Sequence, residues 1–254
     1  MSFMTAAKSQ VELRTPLSGM ALKVLATAIV AGVIAGILFY SWPQIDLDAS
    51  ALFYNGAGVF YGKSSRGVHT LRSILLGANV VVYVVAFIGL IVSLLLKRPW
   101  LKISTPKWLF LVVCLVAGPG LTSNIILKDN WGRARPDQIV DFGGTKVYSP
   151  PVLISDQCQR NCSFVAGEPA TIYLTFFALA FMFPWRARRL FVAGIIAGSL
   201  AGLVRMMQGA HFLSDVIFAA ITMALIAAAV QLIFEAVERA KRKNADTKTN
   251  DTLA

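Results

Sequence analysis

The sequence predicts an all-α, polytopic membrane protein built as a six-transmembrane-helix bundle, and three observations carry that expectation. Hydrophobic residues make up 56% of the 254-residue chain, more than a soluble domain buries. They fall in runs long enough to cross a hydrocarbon core, which takes about 20 helical residues. Lys and Arg fill every second connection between the runs, the distribution that the positive-inside rule assigns to the cytoplasmic side.

The first run, from about Leu22 to Trp42, follows some twenty polar residues and lacks a small-residue cleavage site at its end. It is expected to stay as an anchor and not to be removed as a signal peptide. The next runs are Ile74 to Leu96 and Trp108 to Leu127, separated by Lys97, Arg98, Lys102 and Lys107. The fourth and fifth, Pro169 to Phe183 and Leu190 to Val204, are short for a bilayer and flank Arg186, Arg188 and Arg189. The sixth, Phe212 to Val237, leads into Arg239, Lys241, Arg242 and Lys243. Both termini are therefore expected inside, with residues 43 to 73, 128 to 168 and 205 to 211 outside.

Residues 1–241 read as one membrane domain, and 242–254 as a disordered basic cytoplasmic tail suited to anionic lipid headgroups. The net charge of +11 is then mostly topogenic and calls for no nucleic-acid partner. Gly194, Gly198 and Gly202, at four-residue spacing, suit close helix packing. For Gly32 and Gly36 ordinary composition explains the spacing nearly as well. Asn124, an amide inside the third run, is read as a bond to another helix. Cys158 and Cys162 lie in the large outward loop, where a disulfide is allowed but not required. The loop holds no further His or Cys for a zinc site.

Two outward stretches carry chemistry. One reads Lys128-Asp-Asn-Trp-Gly-Arg133-Ala-Arg135-Pro136, three cations within eight residues. A basic patch facing lipid phosphates is one reading. A tetrahedral oxyanion held between a point charge and a forked donor is the other. The second stretch places His211 four residues before Asp215, where an apolar helix begins, with Arg205 six residues upstream. On a helix the imidazole and the carboxylate share a face. Held on one ring nitrogen, such an imidazole keeps the other as base or nucleophile.

The Lys-x6-Arg-Pro block at Lys128 and Arg135, with Arg205-x5-His211-x3-Asp215, resembles the type 2 phosphatidic acid phosphatase superfamily. The chain is most similar there to the bacterial branch of lipid A phosphatases, through Gly118-Pro-Gly-Leu and the stretch from Lys128 to Arg133. The resemblance implies that Lys128, Arg135 and Arg205 bind the substrate phosphate, that His211 attacks phosphorus to form a phosphohistidine, and that Asp215 orients His211. It implies no metal and no other cofactor. Arg133 is an additional cation, facing either a second phosphate or solvent.

The family's middle block, Pro-Ser-Gly-His, is replaced by Val165-Ala166-Gly167-Glu168. Gly167 remains, and N–H groups at a helix start still cradle an anion. The serine is lost at Ala166, and Ser163 is near enough in sequence to substitute or simply to cap. Glu168 has three readings: a general acid raised by burial, a carboxylate that binds a sugar hydroxyl or pairs with an arginine, or the mark of a weakened enzyme.

The expected protein is a lipid phosphatase of a bacterial inner membrane with its site facing the periplasm. Its expected partners are a lipid substrate and the surrounding membrane lipids; the oligomeric state is not legible. Weak proton donation favours a good leaving group, hence the 1-phosphate of lipid A over the 4'-phosphate. Alternatives are a polyprenyl diphosphate or phosphatidylglycerophosphate, and in other classes an anion transporter or a catalytically silent lipid binder.

Overall fold

The computed structural model describes the backbone of residues 16–253 and the side chains of residues 18–245. Among the described residues the regular structure is helical, with only isolated β-bridges. Six apolar helices stand where the six runs were expected. They are α1 (Pro16–Ser41), α3 (Arg66–Leu96), α4 (Thr105–Leu115) with its continuation to Asn130, α5 (Gly167–Met182), α6 (Ala187–Met207) and α7 (Leu213–Leu253). A short helix, α2 (Gln44–Ala51), lies between α1 and α3.

Five of the six are long and apolar enough to cross a membrane, and α5 is the exception. Its 16 residues span about 24 Å at about 1.5 Å per residue, against a hydrocarbon core of about 30 Å. It can be short because it is the central helix. Ala170, Leu174, Phe177 and Ala180 are buried along it, and α3, α4, α6 and α7 pack around it. The glycines of α6 allow part of that packing: a Cβ on Gly194 would meet Phe176 and Phe177, one on Gly198 the ring of Tyr173, and one on Gly202 the side chain of Val216. The outer faces of α1 and α3, by contrast, expose Ile29, Val33, Ile37, Val80, Val84 and Ile91, as a lipid-facing surface does.

Helix α3 begins at Arg66, two turns before the expected Ile74. Ser65 caps it by accepting from the Val68 N–H at 3.4 Å. Those added turns project beyond the apolar run and carry Arg72. Between α4 and Asn130 the chain winds as a π-helix over Val116–Leu127. Pro119 lies inside this stretch and has no N–H to give; nearby, the Tyr83 hydroxyl donates to the Leu115 carbonyl at 3.4 Å. Gly118 lets the wide turn seat on Leu174 of α5 and Met223 of α7.

The expected boundary at residue 241 is not a helix end, since α7 continues to Leu253. Glu238, Arg239, Ala240, Lys241 and Arg242 are strong helix formers, and they propagate the helix beyond the apolar stretch. Outside the bundle, the loop from 131 to 166 folds over the ends of α4 and α7, and Cys158 and Cys162 form a disulfide within it.

Candidate active site

His211 lies in the turn between α6 and α7 and is 2% exposed. The turn is tight because Gly209 adopts φ +64, and a Cβ there would strike the ring of Phe60. The aromatic segment from Phe53 to Tyr61 thus packs beneath the histidine turn. His211 Nδ1 lies 2.7 Å from the Ser163 carbonyl and 3.6 Å from Asp215 Oδ2. A carbonyl only accepts, so Nδ1 carries the proton and Nε2 keeps its lone pair. Asp215 reinforces this arrangement from behind. Its Oδ2 accepts from the Ser163 hydroxyl at 2.5 Å and from the Phe212 N–H at 2.8 Å. Ser163 thus contacts both members of the pair, Asp215 through its hydroxyl and His211 through its carbonyl.

Burial pushes the His211 pKa down to about 4, with Lys128 and Arg205 pushing the same way and Asp215 opposing them. The imidazole is thus held neutral, as a nucleophile requires. With a folded pKa below the ordinary 6.5, the group contributes stability above pH 6.5 and loses it as the pH falls toward 4. The chain has two histidines, so [15N]histidine NMR in micelles, assigned with His69→Gln, reads the ring directly. We expect the Nδ1–H neutral tautomer at pH 6 and at pH 5, with protonation only near pH 4. A cationic His211 ring at pH 6 would contradict this geometry.

Lys128 and Arg205 both act electrostatically on His211, and Lys128 is also within electrostatic reach of Arg135. The three cations named by the two motifs therefore converge, although they come from the end of the π-helical stretch, the loop after it and the end of α6. Gly167 sits under them: a Cβ there would lie 2.8 Å from Lys128 Nζ and 2.9 Å from Asn124 Oδ1. Asn124 thus meets another helix, at the first residue of α5, and it does so beside Lys128. Arg205 is clamped by Gln208, to which Nη1 donates at 2.5 Å, while its buried Nε has no hydrogen-bond partner. Arg135 donates to the Asn161 carbonyl at 2.8 Å, and the Lys128 carbonyl accepts from the Cys162 N–H at 2.9 Å. The disulfide loop thereby frames both residues.

One expectation is corrected and one is narrowed. Arg133 faces neither a second phosphate nor solvent. It is fully buried, donating to Asp215 at 2.5 Å, Ser214 at 2.7 Å, Asp46 at 2.8 Å and the Ser149 carbonyl at 2.8 Å, and it stacks over Phe212 at 4.4 Å. Burial alone pushes its pKa down, but Asp215 and Asp46 override that and the net shift is upward. Glu168 stands in the site as an ion pair. It accepts from Arg72 Nη2 at 2.9 Å and Nε at 3.2 Å, and its Oε1 lies 3.5 Å from Arg205 Nε. Guanidinium groups only donate, so Glu168 meets both arginines as an acceptor. Of the three readings of Glu168, arginine pairing is the one the geometry supports.

Asp46 and Arg72 were missed in the sequence. Arg72 belongs to a group of outward cations with Lys63 and Arg66, and nothing local separates it from them. Asp46 has a twin in Asp48, which is solvent-side and accepts from Gln44. Among the described residues, no three His, Cys, Asp or Glu side chains converge as a metal site requires.

Comparison with known proteins agrees with this geometry. Residues 106–239 match the PAP2 superfamily, a stretch that holds every motif residue discussed. The chain is 37% identical over 191 residues to a lipid A 4'-phosphatase of Francisella tularensis subsp. novicida, covering 74% of this chain and 85% of that one. It is 29% identical over 218 residues to a lipid A 4'-phosphatase of Rhizobium leguminosarum, covering 80% and 93%. A lipid A 1-phosphatase of Rhizobium johnstonii is 38% identical over 98 residues, 39% of this chain and 36% of the other. With a buried neutral histidine backed by a carboxylate, three cations around it and a family match across them, the chain belongs to the PAP2 superfamily and is a membrane-embedded phosphoric ester hydrolase.

Proposed function

We propose that this protein removes the 4'-phosphate of lipid A at the periplasmic face of a bacterial inner membrane, without a metal, through a phosphohistidine at His211. The observation that carries the mechanism is the proton held on Nδ1 by the Ser163 carbonyl, which leaves Nε2 as the one basic ring atom. Nε2 attacks phosphorus as the bond to the sugar oxygen breaks; the sugar oxygen takes a proton from a water molecule at the open site, leaving hydroxide, and the imidazole takes up the positive charge. That hydroxide then attacks phosphorus, the N–P bond breaks with its electron pair returning to Nε2, and hydrogen phosphate leaves from a neutral imidazole. Lys128, Arg135 and Arg205 neutralise the transferring oxygens, the task a metal performs elsewhere.

Glu168 is a positioning group in this reading, holding Arg205 against Gln208 while Arg72 holds Glu168. The 1-phosphate favoured by the sequence rests on weak proton donation alone. Similarity to 4'-phosphatases extends over most of both chains, whereas similarity to a 1-phosphatase covers 39% of this one, and this favours the 4' position. The outward basic cluster and the inward topogenic charges support a periplasmic site.

Purified protein is incubated with bisphosphorylated lipid A in excess chelator, and the products are placed by fragmentation mass spectrometry. We expect loss of one phosphate, from the 4' position. Loss from the 1 position would overturn the site of attack only. Activity abolished by chelator would overturn the metal-free mechanism, and no release under any condition would overturn the enzyme reading.

A further inference from the structure

Behind His211, Asp215 is not alone with its arginine. Arg133 Nη1 donates to Asp215 Oδ1, while Nη2 donates to Asp46 Oδ2. Asp46 also accepts from the Ser214 N–H at 2.8 Å, the Ser214 hydroxyl at 2.5 Å and the Tyr148 hydroxyl at 3.1 Å. The guanidinium and the Ser214 N–H can only donate, so Asp46 meets both as an acceptor. Asp46, Asp215 and Arg133 are all fully buried, so water screens none of their charges. Asp46 comes from α2, outside the residues that match the family.

A buried arginine paired only with Asp215 would cancel the charge that Asp215 presents to His211. With Asp46 present, two carboxylates share one guanidinium and the group retains one negative charge. That charge faces the ring which becomes cationic on phosphorylation. We infer that Asp46 is a positioning residue that acts through Arg133 by neutralising it, leaving the charge of Asp215 for the imidazolium of the phosphoenzyme.

The inference rests on the phosphohistidine reading, and its test separates the two. Asp46→Asn keeps the shape and removes the charge; Asp46→Glu keeps the charge and changes the shape. We expect Asp46→Asn to lower kcat on lipid A roughly 10- to 100-fold, with KM changed less than about 2-fold, because a buried unit charge near the ring acts chiefly on the charged transition state. Asp46→Glu should be the more active of the two. A purely structural role predicts the reverse order, since the isosteric amide disturbs packing least.

Should Asp46→Glu fail to fold, Asp46→Asn combined with Arg133→Gln decides instead. Removing the guanidinium frees the charge of Asp215 again, so this double variant should exceed Asp46→Asn in kcat. Near-wild-type kcat in Asp46→Asn, greater activity in Asn than in Glu, or a double variant no better than Asp46→Asn would each overturn the inference. His211→Ala is assayed alongside. If it is inactive while Asp46→Asn is not impaired, only the role of Asp46 fails; if it is active, the phosphohistidine reading fails and takes this role with it.

Discussion

His211→Ala is expected to reduce turnover of lipid A by at least about 10⁴-fold while leaving the protein folded and monodisperse in detergent. Loss of an enzymatic nucleophile costs on the order of 10⁶ in kcat where it has been dissected, the remainder coming from the oxyanion-binding groups. Lys128, Arg135 and Arg205 remain in the variant, so substrate should still bind with KM close to wild type. The fold survives because the ring's two polar contacts, to Ser163 O at 2.7 Å and Asp215 Oδ2 at 3.6 Å, are to groups that keep the Ser163–Asp215 bond when Ala replaces it. Protein given 32P-labelled lipid A and quenched in alkaline detergent, because the N–P bond of phosphohistidine is acid-labile, provides the second readout: label should accumulate on wild type and be absent from the variant. Near-wild-type turnover in His211→Ala would remove histidine from the mechanism.

Arg133→Met should have the largest effect on stability. It leaves Asp46 and Asp215 buried within one network and without the guanidinium that joins them, and breaking a buried ion pair by removing one partner typically costs about 3–5 kcal/mol. Thermal unfolding in detergent and yield from membranes read that loss. A phosphate-binding arginine predicts a different outcome, a raised KM in a protein as stable as wild type, and that result would return Arg133 to the substrate side. Arg133→Lys should recover little, because an ammonium cannot span Asp215, Asp46 and Ser149 as the planar fork does.

Much of this protein was legible because hydropathy and charge are local properties. Six apolar runs and alternate basic connections locate six helices, with every end but the C-terminal one of α7 placed to within about two turns, and Lys128, Arg135, Arg205, His211 and Asp215 fall in two short motifs whose spacing is itself the signal. What stayed hidden depends on contacts far apart in the chain. Asp46 meets Arg133 across 87 residues and Arg72 meets Glu168 across 96, and no periodicity reports such pairs. Arg133 was misjudged for the same reason: a cation between two motif cations looks like a third, and only burial distinguishes them. Glu168 kept three readings until Arg72 was seen beside it.

The wide stretch from Val116 to Leu127 decides more than the passage of a proline. An α-helix turns about 100° per residue, and a stretch closed by longer hydrogen-bonded rings turns less. Over its length the angular phase of the chain falls behind, and Lys128 emerges at a different azimuth from the one a regular helix would give it. The ammonium then points at Gly167 and the histidine turn, where a regular helix would have aimed it elsewhere around the axis. Two chains with the same apolar profile and the same lysine can therefore differ in whether that lysine reaches phosphate at all, according to how tightly the backbone below it is wound.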